Sequence, residues 1–124
     1  MTTPWPPLAE LATKVRSGEV SSRELDADAL ARIDSIDPVL HAWVAVDADR
    51  ALAEATQIDE LVAAGNDPGL LAGIPLGVKD LEHAIGYVTS NGSLLHANDP
   101  PAVTDSVLVA RLRAAGCVVL GKLN

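Results

Sequence analysis

The fold is decided by the stretch Gly73-Ile74-Pro75-Leu76-Gly77-Val78-Lys79-Asp80. Its apolar part, residues 74–78, is short and lies between a glycine and a charged pair, which predicts a buried strand that ends at Lys79. Pro75 cannot donate a hydrogen bond to a neighbouring strand, so it predicts a strand start or an edge strand. Sites in α/β proteins gather at strand ends. We therefore expect Lys79 to lie at the edge of a sheet.

Downstream of this strand the pattern is that of a loop, a helix and a second strand. Residues 86–101 are rich in Gly, Asn, Ser and Asp, which predicts a loop that includes one short strand at most. A helix is expected to begin at Thr104 or Asp105 and to end at Gly116. Residues 117–120 form a continuous apolar run, as in a strand covered on both faces. Strand, loop, helix and strand in this order predict an α/β unit with parallel strands.

Upstream of the strand, apolar residues recur at the spacing of three helices. Ser21 and Glu24 have capping-box spacing at the start of the second helix, and Asp37-Pro38 is expected to stop that helix. Asp47 is placed to cap the third helix, which ends at Gly65. The side chains expected to face the core are Leu8, Leu11, Ala12, Val15, Leu25, Ala29, Ile33, Ile36, Ala51, Ala55, Ile58 and Val62.

These elements predict an α/β fold in which N-terminal helices are followed by the start of a mixed, helix-covered sheet. We divide residues 1–124 into a helical part, residues 1–69, and the start of an α/β core, residues 70–124. Residues 41–46 predict a strand or an extended link between helices. Nothing after the last strand is available to cover it, so we expect a chain cut from a larger domain, with marginal stability and a tendency to self-associate.

Composition excludes several classes of function. Apolar residues make up 48% of the chain, which argues against intrinsic disorder. The formal net charge is -8, and an acidic chain repels phosphate and anionic lipid, so we expect no nucleic-acid partner and no membrane binding. Residues 1–5 lack the features of a signal peptide, and no apolar run approaches the ~20 residues of a membrane span. A cytoplasmic protein is the default expectation.

Lys79 is the strongest candidate for a catalytic residue in this pattern, and two interpretations of it stay open. A lysine acts as a base only when it is neutral, which requires burial or neighbouring positive charge. The apolar, glycine-flanked strand end is a place where that desolvation is available. The alternative, which spacing alone favours, is an ion pair with Asp80 or hydrogen bonds to backbone carbonyls.

The remaining reactive residue types do not form a recognisable site. The three histidines are scattered, so we expect no metal site, and no phosphate-binding loop or other cofactor motif is present. Cys117 is the only cysteine and lies in an apolar run, which predicts a buried structural thiol. The histidines are His41, His83 and His96, and the serines without a glycine-flanked nucleophile turn are Ser90, Ser93 and Ser106.

The stretch around Lys79 resembles the lysine motif of the amidase-signature family, and the resemblance continues in register on both sides. Thr89-Ser90-Asn91-Gly92-Ser93 resembles the family's loop containing Thr and Gly-Ser, and residues 105–116 and 118–124 resemble its next helix and strand. The resemblance extends from about residue 20 to the end. Earlier segments that share it are Glu24-Leu25, Ile33-Asp34 and residues 38–44.

This resemblance implies an incomplete amidase-signature fold and a Ser-cisSer-Lys triad. Of that triad only Lys79 is present, as the base lysine, because the family's Gly/Ser-rich segment with both serines lies beyond Asn124. The chain alone is therefore predicted to be inactive. Leu81-Glu82 stands where the family often has Asn-Ile, so the branch within the family stays open.

The function implied for the parent protein is hydrolysis of small-molecule carboxylic amides without a cofactor. Two alternatives stay open: the N-terminal part of a glutamyl/aspartyl-tRNA amidotransferase A-type subunit, and a non-catalytic remnant. Outside the family, an α/β domain that binds a small molecule is the other expectation. The amide substrate and the oligomeric state stay open as well.

Overall fold

The computed structural model describes residues 4–124, so the predicted absence of a signal peptide in residues 1–5 lies largely outside it. No helix within the described part has the length and apolar character that a membrane span requires. The elements are α1 (Leu8–Arg16), α2 (Ser22–Leu40), β1 (Trp43–Val46), α3 (Ala48–Ala63), β2 (Pro75–Lys79), a 3-10 turn (Leu94–His96), α4 (Val107–Ala114) and β3 (Val118–Leu123). Within the described residues, helices that pack on a mixed sheet confirm the predicted α/β fold class, although β1 lies between two of the N-terminal helices.

The three strands form one mixed sheet in the order β1-β3-β2. β2 runs parallel to β3, as predicted for the α/β unit, whereas β1 is antiparallel to it. The strand predicted to be uncovered is therefore the central strand of the sheet, and that prediction was wrong. The reason is that β1, which follows α2 in the helical part, returns to pair with β3.

Helices cover both faces of the sheet. Successive residues of β3 point to opposite faces, and each face packs in its own apolar cluster. Val118 and Leu120 pack against α2 and α3, in one cluster with residues such as Ala29 and Ala55. Val119 faces the other way, where it packs against Val109 of α4 and the turn after β2. The three β3 residues are each at most 2% exposed. Small aliphatic side chains thus allow the helices to approach the sheet closely.

The helix boundaries differ from the sequence expectations in two places. α2 continues through Pro38 to Leu40 and ends at His41, which adopts the left-handed conformation. Pro38 lacks the N–H that would donate to an earlier carbonyl, and the helix ends within three residues of it, where the His41 N–H donates to the Asp37 carbonyl. α4 begins at Val107 with Ser106 as its N-cap, slightly later than predicted.

The predicted helix faces are otherwise found. Leu11, Ala12 and Val15 of α1 are buried, and so are Leu25 and Ala29 of α2. The exceptions lie near helix ends, where Leu8 and Ile36 are 52% and 45% exposed. The loop after β2 contains no strand among the residues described, only the 3-10 turn. The division into residues 1–69 and 70–124 stays a prediction.

Candidate active site

Lys79 is the last residue of β2, an edge strand of the sheet, as the sequence predicts. Pro75 begins this strand, so its missing N–H costs no ladder hydrogen bond. At the other end, the Asp80 N–H donates to the Leu123 carbonyl at 2.9 Å, which extends the pairing with β3 by one residue. The backbone at Lys79 is therefore held on one side by the central strand.

The Lys79 side chain is exposed and lines a small pocket of about 110 Å³. No residue within 4–124 forms a hydrogen bond or an ion pair with its amine, so the alternative interpretation of a Lys79–Asp80 pair is wrong. The strand end does not bury Lys79 either, so the desolvation expected there is not found within residues 4–124. The other residues that line the pocket are Val44, Asp80, Leu81, Ser90, Asn91, Gly92 and Asn124.

The partner of Asp80 is a different lysine, Lys122 of β3. Its ammonium lies 3.0 Å from Asp80 Oδ1, and the two side chains are 0% and 6% exposed. The same ammonium donates to Thr89 Oγ1 at 3.0 Å and to the Val88 carbonyl at 3.2 Å. An ammonium has three N–H donors, so Lys122 has as many acceptors as donors. The pair is thus a fully hydrogen-bonded buried ion pair beside the pocket.

Asp80 connects this ion pair to the loop that forms the pocket wall. Its carboxylate accepts hydrogen bonds from the Ser90 hydroxyl and from the Ser90 N–H, the latter at 3.1 Å. Its carbonyl accepts from the Asn91 N–H at 3.0 Å. Burial alone would raise the pKa of Asp80, but the hydrogen bonds from Ser90 and Lys122 outweigh it and hold that pKa below its usual range. Asp80 is therefore ionised at neutral pH.

The three serines singled out in the sequence all have structural partners. The Ser90 hydroxyl lies in the pocket wall but donates to Asp80. Ser93 caps the 3-10 turn, and Ser106 caps α4 through the Val109 N–H. None of the three is bonded to Lys79, so within residues 4–124 the structure brings none of these serine hydroxyls together with the Lys79 amine.

The histidines lie apart from one another. His83 contacts the Thr89 hydroxyl at 3.1 Å, His96 pairs with Asp99 at 2.8 Å, and His41 ends α2. Within residues 4–124 no group of three or more metal-ligating side chains comes together. Cys117 is buried as predicted, and burial raises the pKa of its thiol above the ordinary value. A reactive thiolate at this position is therefore disfavoured.

Sequence reasoning missed Lys122 as a residue of the site. The residue lies two positions after the apolar run of residues 117–120, and its local pattern gives it no role of its own. The available signal was that parallel strands end at the same edge of a sheet, so the residue after β2 and the end of β3 come together. Asp80 and Lys122 have opposite charges at those two strand ends, which is a pairing that topology predicts.

The fold and the site define an α/β protein with a lysine-bearing pocket at the edge of its mixed sheet. The family model described as Amidase matches residues 24–124. The A-type subunit of the glutamyl-tRNA(Gln) amidotransferase from Acaryochloris marina is 44% identical over 115 residues, which are 93% of this chain and 23% of that protein. The putative amidase AmiD of Mycobacterium tuberculosis is 40% identical over 116 residues, which are 94% of this chain and 24% of the relative.

The structure is similar to the X-ray structure of the native peptide amidase from Stenotrophomonas maltophilia. The TM-score is 0.85 at 41% identity, and the match covers 94% of this chain and 24% of that chain. The chain thus spans about a quarter of the length of the relatives it matches. It belongs to the amidase family, the amidase-signature enzymes, as the resemblance around Lys79 predicts.

Proposed function

We propose that this chain is the N-terminal part of an amidase that hydrolyses carboxylic amide bonds, with Lys79 as the base of a Ser-cisSer-Lys triad. The observation that carries the proposal is the Lys79 amine, which has no partner within residues 4–124 and lies in a pocket at the sheet edge. The pocket wall is the loop that resembles the family's Thr- and Gly-Ser-containing segment. The site lies inside the span that the family model matches.

The chemistry assigned to Lys79 is proton transfer. A serine hydroxyl is a weak nucleophile until a base accepts its proton. In the proposed reaction the serine oxygen bonds to the amide carbon, and its proton passes through the second serine to the neutral Lys79 amine. The proton is then delivered to the leaving nitrogen as the C–N bond breaks. Water hydrolyses the resulting acyl-serine ester, which releases the acid and restores the serine.

Two parts of this machinery are proposed to come from the remainder of the parent protein. These are the two serines and the groups that desolvate Lys79, because Lys79 is exposed within residues 4–124. The 124 residues alone are therefore expected to show no amidase activity. Detection of an acyl-enzyme formed by the isolated chain would contradict this expectation. If there is no active protein that is longer than these 124 residues, the alternative is a non-catalytic remnant.

The role of Lys79 is tested by Lys79→Ala in the full-length protein, assayed on a panel of simple carboxylic amides. We expect kcat/KM to fall by about 10²–10⁴-fold, the usual contribution of a general base. Lys14→Ala is the matched control, since Lys14 lies on α1 and pairs with Glu10. Unchanged activity of Lys79→Ala, together with an active control, would reject the proposal.

A second candidate function is an amidotransferase A-type subunit, which relatives such as the Acaryochloris marina protein favour. The formal net charge of -8 argues against direct contact between this part of the protein and transfer RNA. Purification from the native source distinguishes the two functions. An amidase hydrolyses simple amides alone, whereas a subunit co-purifies with companion subunits and needs a misacylated transfer RNA for its reaction. In both cases we propose a cytoplasmic protein whose amide substrate is a small molecule.

A further inference from the structure

The buried ion pair of Lys122 and Asp80 lies directly behind the proposed base. Asp80 is the neighbour of Lys79 in the chain, and every polar group of Asp80 has a partner. Its N–H binds β3, its carbonyl binds the Asn91 N–H, and its carboxylate binds Ser90 and Lys122. The residue next to Lys79 is thus held by the central strand, by the pocket wall and by a buried cation.

The hydrogen bonds of Asp80 restrict the position of the Lys79 backbone, whereas the Lys79 amine forms no bond within residues 4–124 that would do so. A lysine carries its amine on a flexible four-carbon stem, so the amine's reach depends on where the backbone places the first carbon. Within residues 4–124 no side chain is bonded to the Lys79 amine. The position of its backbone relative to the pocket wall is therefore set through Asp80, which both elements share.

Stability alone does not account for an ion pair at this place. Removing two charges from water costs free energy that the attraction between them does not reliably recover, and apolar residues of similar volume often serve as well. Lys122 nevertheless satisfies all three donors inside the protein, on Asp80, Val88 and Thr89. Hydrogen bonds from the Lys122 ammonium to Asp80 at the end of β2 and to the loop at residues 88–89 fix the distance between that strand end and the loop. Apolar packing is less directional and fixes such a distance less well.

We propose that Lys122 is a positioning residue of the site. It acts through Asp80 to hold the Lys79 backbone and the loop of residues 88–91 in one fixed arrangement, so that the Lys79 amine meets its proton donor. Lys122 touches neither substrate nor reacting atoms. The inference deepens the proposed function and rests on the proposed role of Lys79.

The experiment uses Ser90→Ala and Lys122→Met in the full-length protein, with Ser17→Ala as the matched control. Ser90→Ala removes one hydrogen bond to Asp80 and the hydrogen bond that the exposed Gly92 N–H donates to the Ser90 hydroxyl, and it leaves no buried charge unpaired. Ser17 is exposed at the end of α1, where its hydroxyl binds the Lys14 carbonyl. The readouts are kcat and KM on a simple carboxylic amide, well below the unfolding temperature, with the folded fraction measured by circular dichroism.

We expect kcat to fall about tenfold for Ser90→Ala and about 100-fold for Lys122→Met, because small displacements of a catalytic group have effects of this size. KM should change by less than about threefold, since groups that act in the transition state affect kcat. Ser17→Ala should leave both constants unchanged. In a Lys79→Ala background, Ser90→Ala should lower the residual rate no further, because a positioning effect disappears with the group that is positioned.

Other outcomes overturn the inference in distinguishable ways. If Lys79→Ala is inactive while folded Ser90→Ala has normal kcat, the positioning role fails and the proposed function stands. If Ser90→Ala lowers the rate equally with and without Lys79, the effect is not exerted through Lys79. If Lys79→Ala is fully active, both proposals fail together. Should Lys122→Met not fold, Ser90→Ala decides.

Discussion

Asp26 of α2 shows how one residue's surroundings change its chemistry. Its side chain is 0% exposed, and its Oδ1 atom has no hydrogen-bond partner among the described residues. Burial raises the pKa of Asp26 to about 8, against a smaller lowering by the Ser22 hydroxyl. Asp59 and Glu54 on the neighbouring α3 add negative charge that raises it further. Helical spacing predicts that Leu25 is buried, but no feature of the sequence predicts that the carboxyl of the next residue, Asp26, is buried as well.

We expect this carboxyl to make the protein less stable as pH rises. The pKa is raised in the folded state, so the folded protein holds the proton between about pH 4 and about pH 8 and the unfolded chain does not. The free energy of unfolding should therefore fall by roughly 1.4 kcal/mol for each pH unit in that window. Below this pH window the stability that depends on the Asp26 proton is fully present, and above the window that stability is lost.

Asp26→Asn is the variant that tests this, measured by urea unfolding from pH 5 to pH 8. It should flatten the pH dependence and be more stable than the parent chain at pH 8. Asp34→Asn is the control, because Asp34 lies on the same helix without being buried. A pH dependence that is the same in all three proteins would show that Asp26 is not the group responsible.

At the level of elements, the N-terminus of α2 is closed by a residue from another helix. Ser21 caps the helix through the Glu24 N–H, as the capping-box spacing predicts. The Ser22 and Arg23 N–H groups donate to the Asp59 carboxylate at 2.7 and 3.0 Å. Asp59 also accepts from the Ser21 hydroxyl at 2.7 Å. A carboxylate at a helix N-terminus also interacts favourably with the helix dipole.

Asp59→Ala should therefore destabilise the protein by about 1–2 kcal/mol, the range for loss of an N-cap acceptor. Glu24→Ala should change the free energy of unfolding by less than about 0.5 kcal/mol, since Glu24 is an exposed surface residue. Both are measured by urea unfolding at constant pH. A larger effect for Glu24→Ala than for Asp59→Ala would show that the capping box is closed locally after all.

For the whole molecule, the central feature is that β1 and β2 contact β3 from opposite sides. Gly121 pairs with Val46 of β1 and with Gly77 of β2. A side chain at Gly121 would overlap the Ala45 carbonyl oxygen, so the close approach of β1 requires glycine there. Since β3 is enclosed in this way, the predicted cause of self-association is absent. Self-association and marginal stability themselves stay predictions.

Gly121→Ala should destabilise the whole fold, because the overlapping atom belongs to backbone that cannot rotate away. We expect a loss of about 1–3 kcal/mol or more, the range for overpacking a closed interior. Gly65→Ala is the comparison, since Gly65 has a positive φ but open space around it and should lose about 1 kcal/mol. Thermal unfolding checks both, and an equal or smaller loss for Gly121→Ala would contradict the close packing.

The local pattern predicts most of the fold and one residue of the candidate site. Helical spacing, the Ser21 and Asp47 caps and the apolar stretch before Lys79 depend on interactions between near neighbours, so they are legible without the structure. The path of α2 through Pro38 is different, because the residue before a proline is disfavoured in the helical conformation and the local sequence therefore predicts an earlier end. At such a position, contacts with the rest of the protein decide the backbone conformation of the few residues around the proline.

Tertiary structure alone decides the rest of the site. The pairing of β1 with β3, the closure of α2 by Asp59 and the Lys122–Asp80 ion pair each join residues far apart in the chain. Such contacts depend on topology, and a single strand or helix carries no record of which partner it will meet. The apolar stretch before Lys79 thus predicts a lysine at a strand end, while the packing of three strands decides what holds its backbone there.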